Sequence, residues 1–126
     1  MISLHMANYT RDQELKSRWE NVIRILTEKF SDGEDLDVEG VLYLIGLQEY
    51  GKPHEKLKKE DNVNLIHIGL CTILEPFGYY RFDFIDEEGW PHFELVEALP
   101  NLKPGEQSIL VKGAVVDYFV KQGLIS

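Results

Sequence analysis

The sequence predicts a mostly helical α+β fold of about four helices, with one β-hairpin between the third and fourth helices. Apolar residues recur at helical spacing through the first half of the chain and again near its end. Between residues 79 and 96 the period changes to two, around a turn-forming acidic run. The 126 residues, of which 44% are hydrophobic, are enough for one packed core. We therefore expect a single domain over residues 1–126.

The first helix is predicted from apolar residues that recur mainly three or four positions apart. This spacing runs from about Asp12 to Phe30 and defines one face of an amphipathic helix. Thr10 or Asp12 would cap the start of this helix, because short polar side chains accept hydrogen bonds from first-turn amides. The run Ser31-Asp32-Gly33 would end it.

The second and third helices are predicted to be apolar nearly all round. The second covers residues 38–50, with Asp37 as its N-terminal cap and Gly51 as a left-handed C-terminal cap. The third begins at Asp61 or Lys59, runs to about Leu74 and is ended by Pro76 and Gly78. A helix with so little polar surface is buried centrally or meets another subunit. We therefore expect a homodimer through one of these helices.

The hairpin is predicted from alternating residues on both sides of a turn. Tyr80, Phe82 and Phe84 would share one face of the first strand, and Asp86-Glu87-Glu88-Gly89 would form a four-residue loop. Pro91 has no amide proton, so the second strand should begin at an edge or unpaired.

The last segment, Ile109–Val120, is predicted to be helical and to end near Gly123, after a bend at Pro100, Pro104 and Gly105. Its β-branched residues would also suit a strand. Glycines inside the predicted helices each cost about 1 kcal/mol relative to alanine, which suggests close backbone contacts. These glycines are Gly40, Gly46, Gly69 and Gly113.

Charge and composition limit the classes of function. Thirteen Lys and Arg residues stand against 22 Asp and Glu residues, a net charge of −9. Such a charge repels nucleic acid and anionic membranes, so we expect neither as a partner. No apolar stretch is long enough for a membrane span, and the N-terminus lacks a secretory signal. With Cys71 as the single cysteine, these features predict a cytoplasmic protein.

No catalytic, cofactor or metal motif is found, so we expect neither a cofactor nor a metal and lean against an enzyme. His67, Cys71 and Glu75 are spaced to share one helix face, where an imidazole would activate a thiol. Glu75 precedes Pro76 and should leave the helix, and free cysteines are usually buried. Core packing is the favoured interpretation.

Two acidic clusters are candidate docking surfaces for a basic protein partner, although a solvated loop explains either one. The first lies within residues 32–39 and lacks the spacing of a calcium loop. The second adjoins an apolar anchor, which a docking site requires. The predicted partner-binding residues are Asp86, Glu87, Glu88 and Trp90.

An alternative function is the binding of a small molecule, with or without catalysis, in a pocket near the hairpin. His92 would be a general base at neutral pH, and the rings of Tyr80 and Trp90 would line the pocket. The predicted residues are Tyr80, Trp90 and His92, although aromatic pairs on a hairpin are also ordinary sheet stabilisers. The basic segment 52–59 is interpreted as a solvated linker.

Two resemblances bear on these alternatives. The stretch from Leu36 to Pro100, above all residues 37–41 and 87–92, resembles a small family of uncharacterised acidic bacterial proteins, which implies no activity or site residue. The element order also resembles a winged helix-turn-helix, in which the third helix reads DNA. Here that helix is apolar and the wing tip is Asp86-Glu87-Glu88, so DNA binding is disfavoured and protein contacts are expected.

Overall fold

The computed structural model describes residues 4–30, 36–51 and 57–126, with side chains from Asp12 onward. The helices are α1 (Leu4–Phe30), α2 (Val38–Tyr50), α3 (Asp61–Leu74) and α4 (Pro104–Lys121). A 3₁₀ turn at Glu75–Phe77 leads into β1 (Tyr80–Ile85) and β2 (Pro91–Leu95). The predicted fold is confirmed: it is α+β and mostly helical, with an antiparallel hairpin between α3 and α4.

Two helix starts differ from the prediction. α1 begins at Leu4, so Thr10 and Asp12 lie inside it and do not cap it. No proline or glycine occurs between these points to interrupt the helix. α4 begins at Pro104, which suits a first helical position because its missing amide proton has no partner there. The bend predicted at Pro104 and Gly105 is therefore the first turn of α4, and Ile109–Val120 is helical as predicted.

The caps predicted for α2 are confirmed. Asp37 Oδ1 accepts a hydrogen bond from the Gly40 amide at 2.7 Å, and Gly51 has φ 68°. The residues predicted to end α1, 31–33, lie outside the described residues.

The hydrophobic core lies between the four helices. Burial of each of its Val, Leu and Ile side chains contributes about 1.5–3 kcal/mol to folding. Its fully buried members include Val22, Val41, Ile45, Ile73, Leu74 and Val115. Tyr118 on α4 donates a hydrogen bond to Glu49 Oε1 at 2.9 Å, and burial raises the pKa of this phenol. α2 and α4 are therefore joined by polar as well as apolar contacts.

α2 and α3 cross at two glycines. A Cβ atom at Gly46 would overlap the backbone carbonyl of Leu65, and one at Gly69 would overlap that of Leu42. Gly46, late in α2, meets Leu65, early in α3, and Gly69, late in α3, meets Leu42, early in α2. The two helices therefore cross in an antiparallel arrangement. Close backbone packing is confirmed at these two glycines. It is wrong for Gly113, whose Cβ would meet no atom within 4 Å, and Gly40 is close to side chains only.

The hairpin contains a β-bulge that the alternating pattern does not reveal. The strand register shifts between Phe82 and Phe84, so Asp83 is an extra residue in β1. Phe82 pairs with Phe93, whereas Phe84 pairs with His92 on the opposite face. The shared face predicted for Tyr80, Phe82 and Phe84 is therefore wrong for Phe84.

The connection between the strands covers residues 86–90, one residue more than the predicted four-residue loop. The Asp86 amide donates to the Trp90 carbonyl at 2.9 Å, and this hydrogen bond encloses a three-residue loop, residues 87–89. Gly89, at φ 93°, occupies the left-handed position that closes such a three-residue loop.

Candidate functional site: the hairpin and the adjoining cleft

The tip of the hairpin is organised by the carboxylate of Asp86. Its Oδ1 accepts hydrogen bonds from the Glu88 and Trp90 amides, both at 2.9 Å. Its Oδ2 lies 2.8 Å from His92 Nε2. The hydrogen bond with His92, followed by that from the Trp90 amide, holds the pKa of Asp86 below its usual value. Asp86 thus fixes the shape of the tip, which is a structural task additional to any docking role.

Trp90 and His92 are held by stacking. The Trp90 ring stacks on Tyr50 of α2, with ring centres 4.2 Å apart. The His92 ring stacks on Phe84 at 4.5 Å and is nearly parallel to it. Both contacts restrict the hairpin, and the first ties its tip to the helical core.

A cleft of about 390 Å³ lies between α3 and the hairpin tip. It brings Trp90 and His92 together with Asp86 and Glu88, so it unites most of the two predicted site sets. Tyr80 is not among its lining residues and instead meets His67 edge-on at 6.1 Å. Asp61, Asn64 and His67 of α3 form the other wall. The described lining of the cleft includes three carboxylates and no Lys or Arg, so these residues favour a cationic group over an anionic one.

Apolar side chains are unusually exposed on the same hairpin. The exposed fraction of the residue is 45% for Phe82, 50% for Phe84, 61% for Ile85 and 57% for Leu95. Single exposed apolar residues are common on protein surfaces, but contiguous groups mark interaction sites. Phe82 and Leu95 share one face of the hairpin and Phe84 lies on the other, so the face that carries Phe82 and Leu95 has the composition of a contact surface.

Negative charge is concentrated around these apolar residues. Between residues 75 and 97 there are seven carboxylates and a single Lys or Arg, Arg81. Arg81 is paired with Glu94 at 2.7 Å across the strands. Glu75 accepts a hydrogen bond from the Phe82 amide at 2.6 Å, which covers part of the open edge of β1. The net field at this surface attracts cations.

His67, Cys71 and Glu75 do not form a joint site. Cys71 Sγ lies 3.4 Å from His67 Nε2, but the cysteine is fully buried and burial raises its pKa to about 11. Glu75 follows the last residue of α3 but keeps helical dihedral angles, φ −58° and ψ −47°, so the prediction that it leaves helical geometry is wrong. Its side chain accepts a hydrogen bond from the Phe82 amide of β1. In the part of the chain that the structure describes, no three His, Cys, Asp or Glu side chains are placed to hold a metal ion.

Tyr50, Asp61 and Glu75 take part in this region although the sequence did not predict it. They come from α2, α3 and the 3₁₀ turn, and only the fold brings them to the hairpin. The structural role of Asp86 had a detectable signal, because Asp at the first position of a turn commonly caps its amides.

Several predicted features cannot be placed. Asp32, Glu34 and Asp35 of the first acidic cluster lie outside the described residues, as do Lys52, His54 and Lys56 of the basic segment. Asp37, which also belongs to the first acidic cluster, is the N-terminal cap of α2.

In comparisons with protein-family models, with curated proteins and with solved structures, nothing matches this chain. The described helices include none with the length and apolar composition that a membrane crossing requires. Function is therefore inferred from the residues themselves.

Proposed function

We propose that the protein is a non-catalytic interaction protein that binds a basic protein partner on its hairpin. One observation carries the proposal: four exposed apolar side chains of the two strands lie in a segment, residues 75–97, that holds seven carboxylates. The predicted contact residues are Asp86, Glu87, Glu88 and Trp90, with Asp86 and Trp90 also holding the tip in shape.

The two kinds of side chain would have different tasks in such an interface. Burial of Phe82 and Leu95, which share one face of the hairpin, against a partner would supply most of the affinity, because aromatic and aliphatic anchors dominate interface energies. The surrounding carboxylates would raise the association rate and select a basic surface. A flexible tip would lose conformational entropy on binding, whereas the Asp86 network and the Trp90–Tyr50 stack reduce that loss.

Affinity capture from host lysate with a charge-reversed hairpin tests this proposal. The bait variant is Asp83→Lys with Glu87→Lys, because both side chains are exposed and neither is Asp86, whose loss would disturb the turn. We expect a stoichiometric basic protein on the wild-type bait, its release as salt rises, and its absence from the variant.

The matched control carries the same change of charge on α1, as Glu20→Lys with Glu28→Lys. It should retain the partner. Loss of the partner from both variants would mean that overall charge, and not the hairpin, determines binding. Full retention by the hairpin variant would refute the proposal.

The second candidate is the binding of a small cationic molecule in the cleft. It is favoured by the placement of Asp61, Asp86 and Glu88 around one opening beside the Trp90 ring. Under this candidate a diamine should raise the melting temperature of the wild type more than that of Asn64→Leu, which would narrow the cleft. Equal or absent shifts would argue against it.

DNA binding is disfavoured by the same surface. The exposed side of α3 faces the cleft carboxylates, and the hairpin tip carries Asp86, Glu87 and Glu88 where a DNA-binding wing would carry cations. The cytoplasmic location predicted from the sequence stays a prediction.

A further inference from the structure

An open groove lies between α1 and α4. The groove has a volume of about 360 Å³, and Phe77 of the 3₁₀ turn contributes to its lining. Its walls are mainly apolar, and two of these side chains, Phe77 and Ile109, are 44% and 51% exposed. The remaining apolar lining is Leu15, Leu110, Ala114 and Val116.

Gly113 keeps the floor of this groove open. It lies in the interior of α4, where glycine destabilises a helix relative to alanine. Unlike Gly46 and Gly69, it meets no atom of the described chain within 4 Å of its missing Cβ. Packing among the described residues therefore does not explain the glycine, whereas a partner that enters the groove would need the space.

The charges at the rim select among occupants. Among the residues whose side chains the structure describes, three carboxylates, Asp12, Glu14 and Asp117, are exposed there beside one guanidinium, that of Arg18. A fatty-acid carboxylate would be repelled, and a second copy of a chain with net charge −9 would be repelled on average. A cationic amphiphile fits both the apolar floor and the acidic rim.

The dimensions favour a short helix. The lining on α4 runs from Ile109 to Asp117, which is about 12 Å along the helix axis. This distance matches apolar anchors at positions i, i+4 and i+7 of a docked helix. We propose that the groove is a second docking site, which takes an amphipathic helix with Lys or Arg beside its apolar side chains.

Fluorescence anisotropy with a designed peptide tests this assignment. The probe is a labelled helix of about 14 residues, with Leu at positions i, i+3, i+4 and i+7 and Lys on its other face. Its counterpart carries Glu in place of Lys. We expect the Lys peptide to bind the wild type at least about tenfold more tightly than the Glu peptide does.

The protein variants localise the binding. Gly113→Leu fills the groove and should weaken binding of the Lys peptide by about tenfold or more. Gly105→Leu is the matched control, because Gly105 is on the same helix with equal free space but does not line the groove. Asp117→Lys, at the exposed rim, should weaken binding without altering the packing.

The hairpin variant, Asp83→Lys with Glu87→Lys, should bind the Lys peptide as tightly as the wild type does, because neither residue lines the groove. This result distinguishes the groove from the hairpin surface. Equal affinity of Gly113→Leu and Gly105→Leu would overturn the assignment, as would equal binding of the Lys and Glu peptides. Conversion of a dimer to a monomer by Gly113→Leu would identify the groove as a contact between copies and would also overturn it.

Discussion

At the residue scale, glycines in α2 and α4 occupy opposite environments. A side chain at Gly46 would collide with the Leu65 carbonyl, which belongs to the backbone of a packed helix and cannot rotate away. A side chain at Gly113 would enter open space. A helix prefers alanine to glycine at both positions. Replacement by alanine should therefore stabilise the protein at Gly113, whereas the collision at Gly46 should outweigh this preference and destabilise it.

The prediction concerns Gly46→Ala and Gly113→Ala. Gly46→Ala should lower the free energy of unfolding by about 1–3 kcal/mol, the usual cost of overpacking. Gly113→Ala should raise it by about 0.5–1 kcal/mol through reduced backbone entropy of the unfolded chain. Urea unfolding followed by circular dichroism measures both. Stabilisation by Gly46→Ala would contradict the close crossing of α2 and α3.

At the element scale, the hairpin depends on one carboxylate. Asp86 bonds two amides through one oxygen and His92 through the other, so the tip of a two-stranded sheet acquires a fixed shape. Isolated hairpins are marginal in water, and this one has added contacts at Tyr50 and Glu75. These contacts let the hairpin keep its shape while its outer apolar residues stay exposed.

The pH dependence of the hairpin follows from the lowered pKa of Asp86. A carboxyl group whose pKa falls on folding adds stability above its ordinary pKa of about 3.9, and this contribution is lost as the pH falls through the lowered value. We therefore expect the indole signal of Trp90 in NMR to leave its native position in this acidic range. Asp86→Ala should show the altered signal already at neutral pH, while Glu87→Gln should behave as the wild type.

The elements differ in how far the sequence determines them. The caps of α2 and the end of α3 follow from local chemistry, and residues such as Asp37 and Gly51 could be identified from sequence alone. The bulge at Asp83 could not, because the assumed period of two places Phe84 on the wrong face. The β-branched residues of α4 are compatible with a helix and with a strand, and burial against the other helices selects the helix. At the site, Asp86 and Trp90 could be singled out, but the Tyr50–Trp90 stack joins residues far apart in sequence.

At the scale of the whole molecule, charge and exposed apolar surface are unevenly distributed. α1 carries five Lys and Arg residues against four Asp and Glu residues, while the rest of the chain carries eight against 18. The apolar faces of α2 and α3 are used internally, mostly against each other. Of the large apolar side chains of α2 and α3, Val63 is exposed, at 73%, whereas four are exposed on the two strands. The hairpin is therefore a better candidate for a homodimer contact than the helices through which it was predicted.

Salt separates self-association from binding of a basic partner. Two acidic hairpins repel each other, so screening should strengthen a hairpin-mediated dimer, whereas the same screening should weaken attraction of a basic protein. We expect light scattering at micromolar concentration to give a mass that rises from 14.6 kDa as salt is added. Phe82→Ser with Leu95→Ser, which removes two exposed apolar contacts, should keep the monomer mass, and Ile109→Ser in the groove should not. A mass of 14.6 kDa at every salt concentration would rule out the dimer and leave the hairpin surface to a different partner.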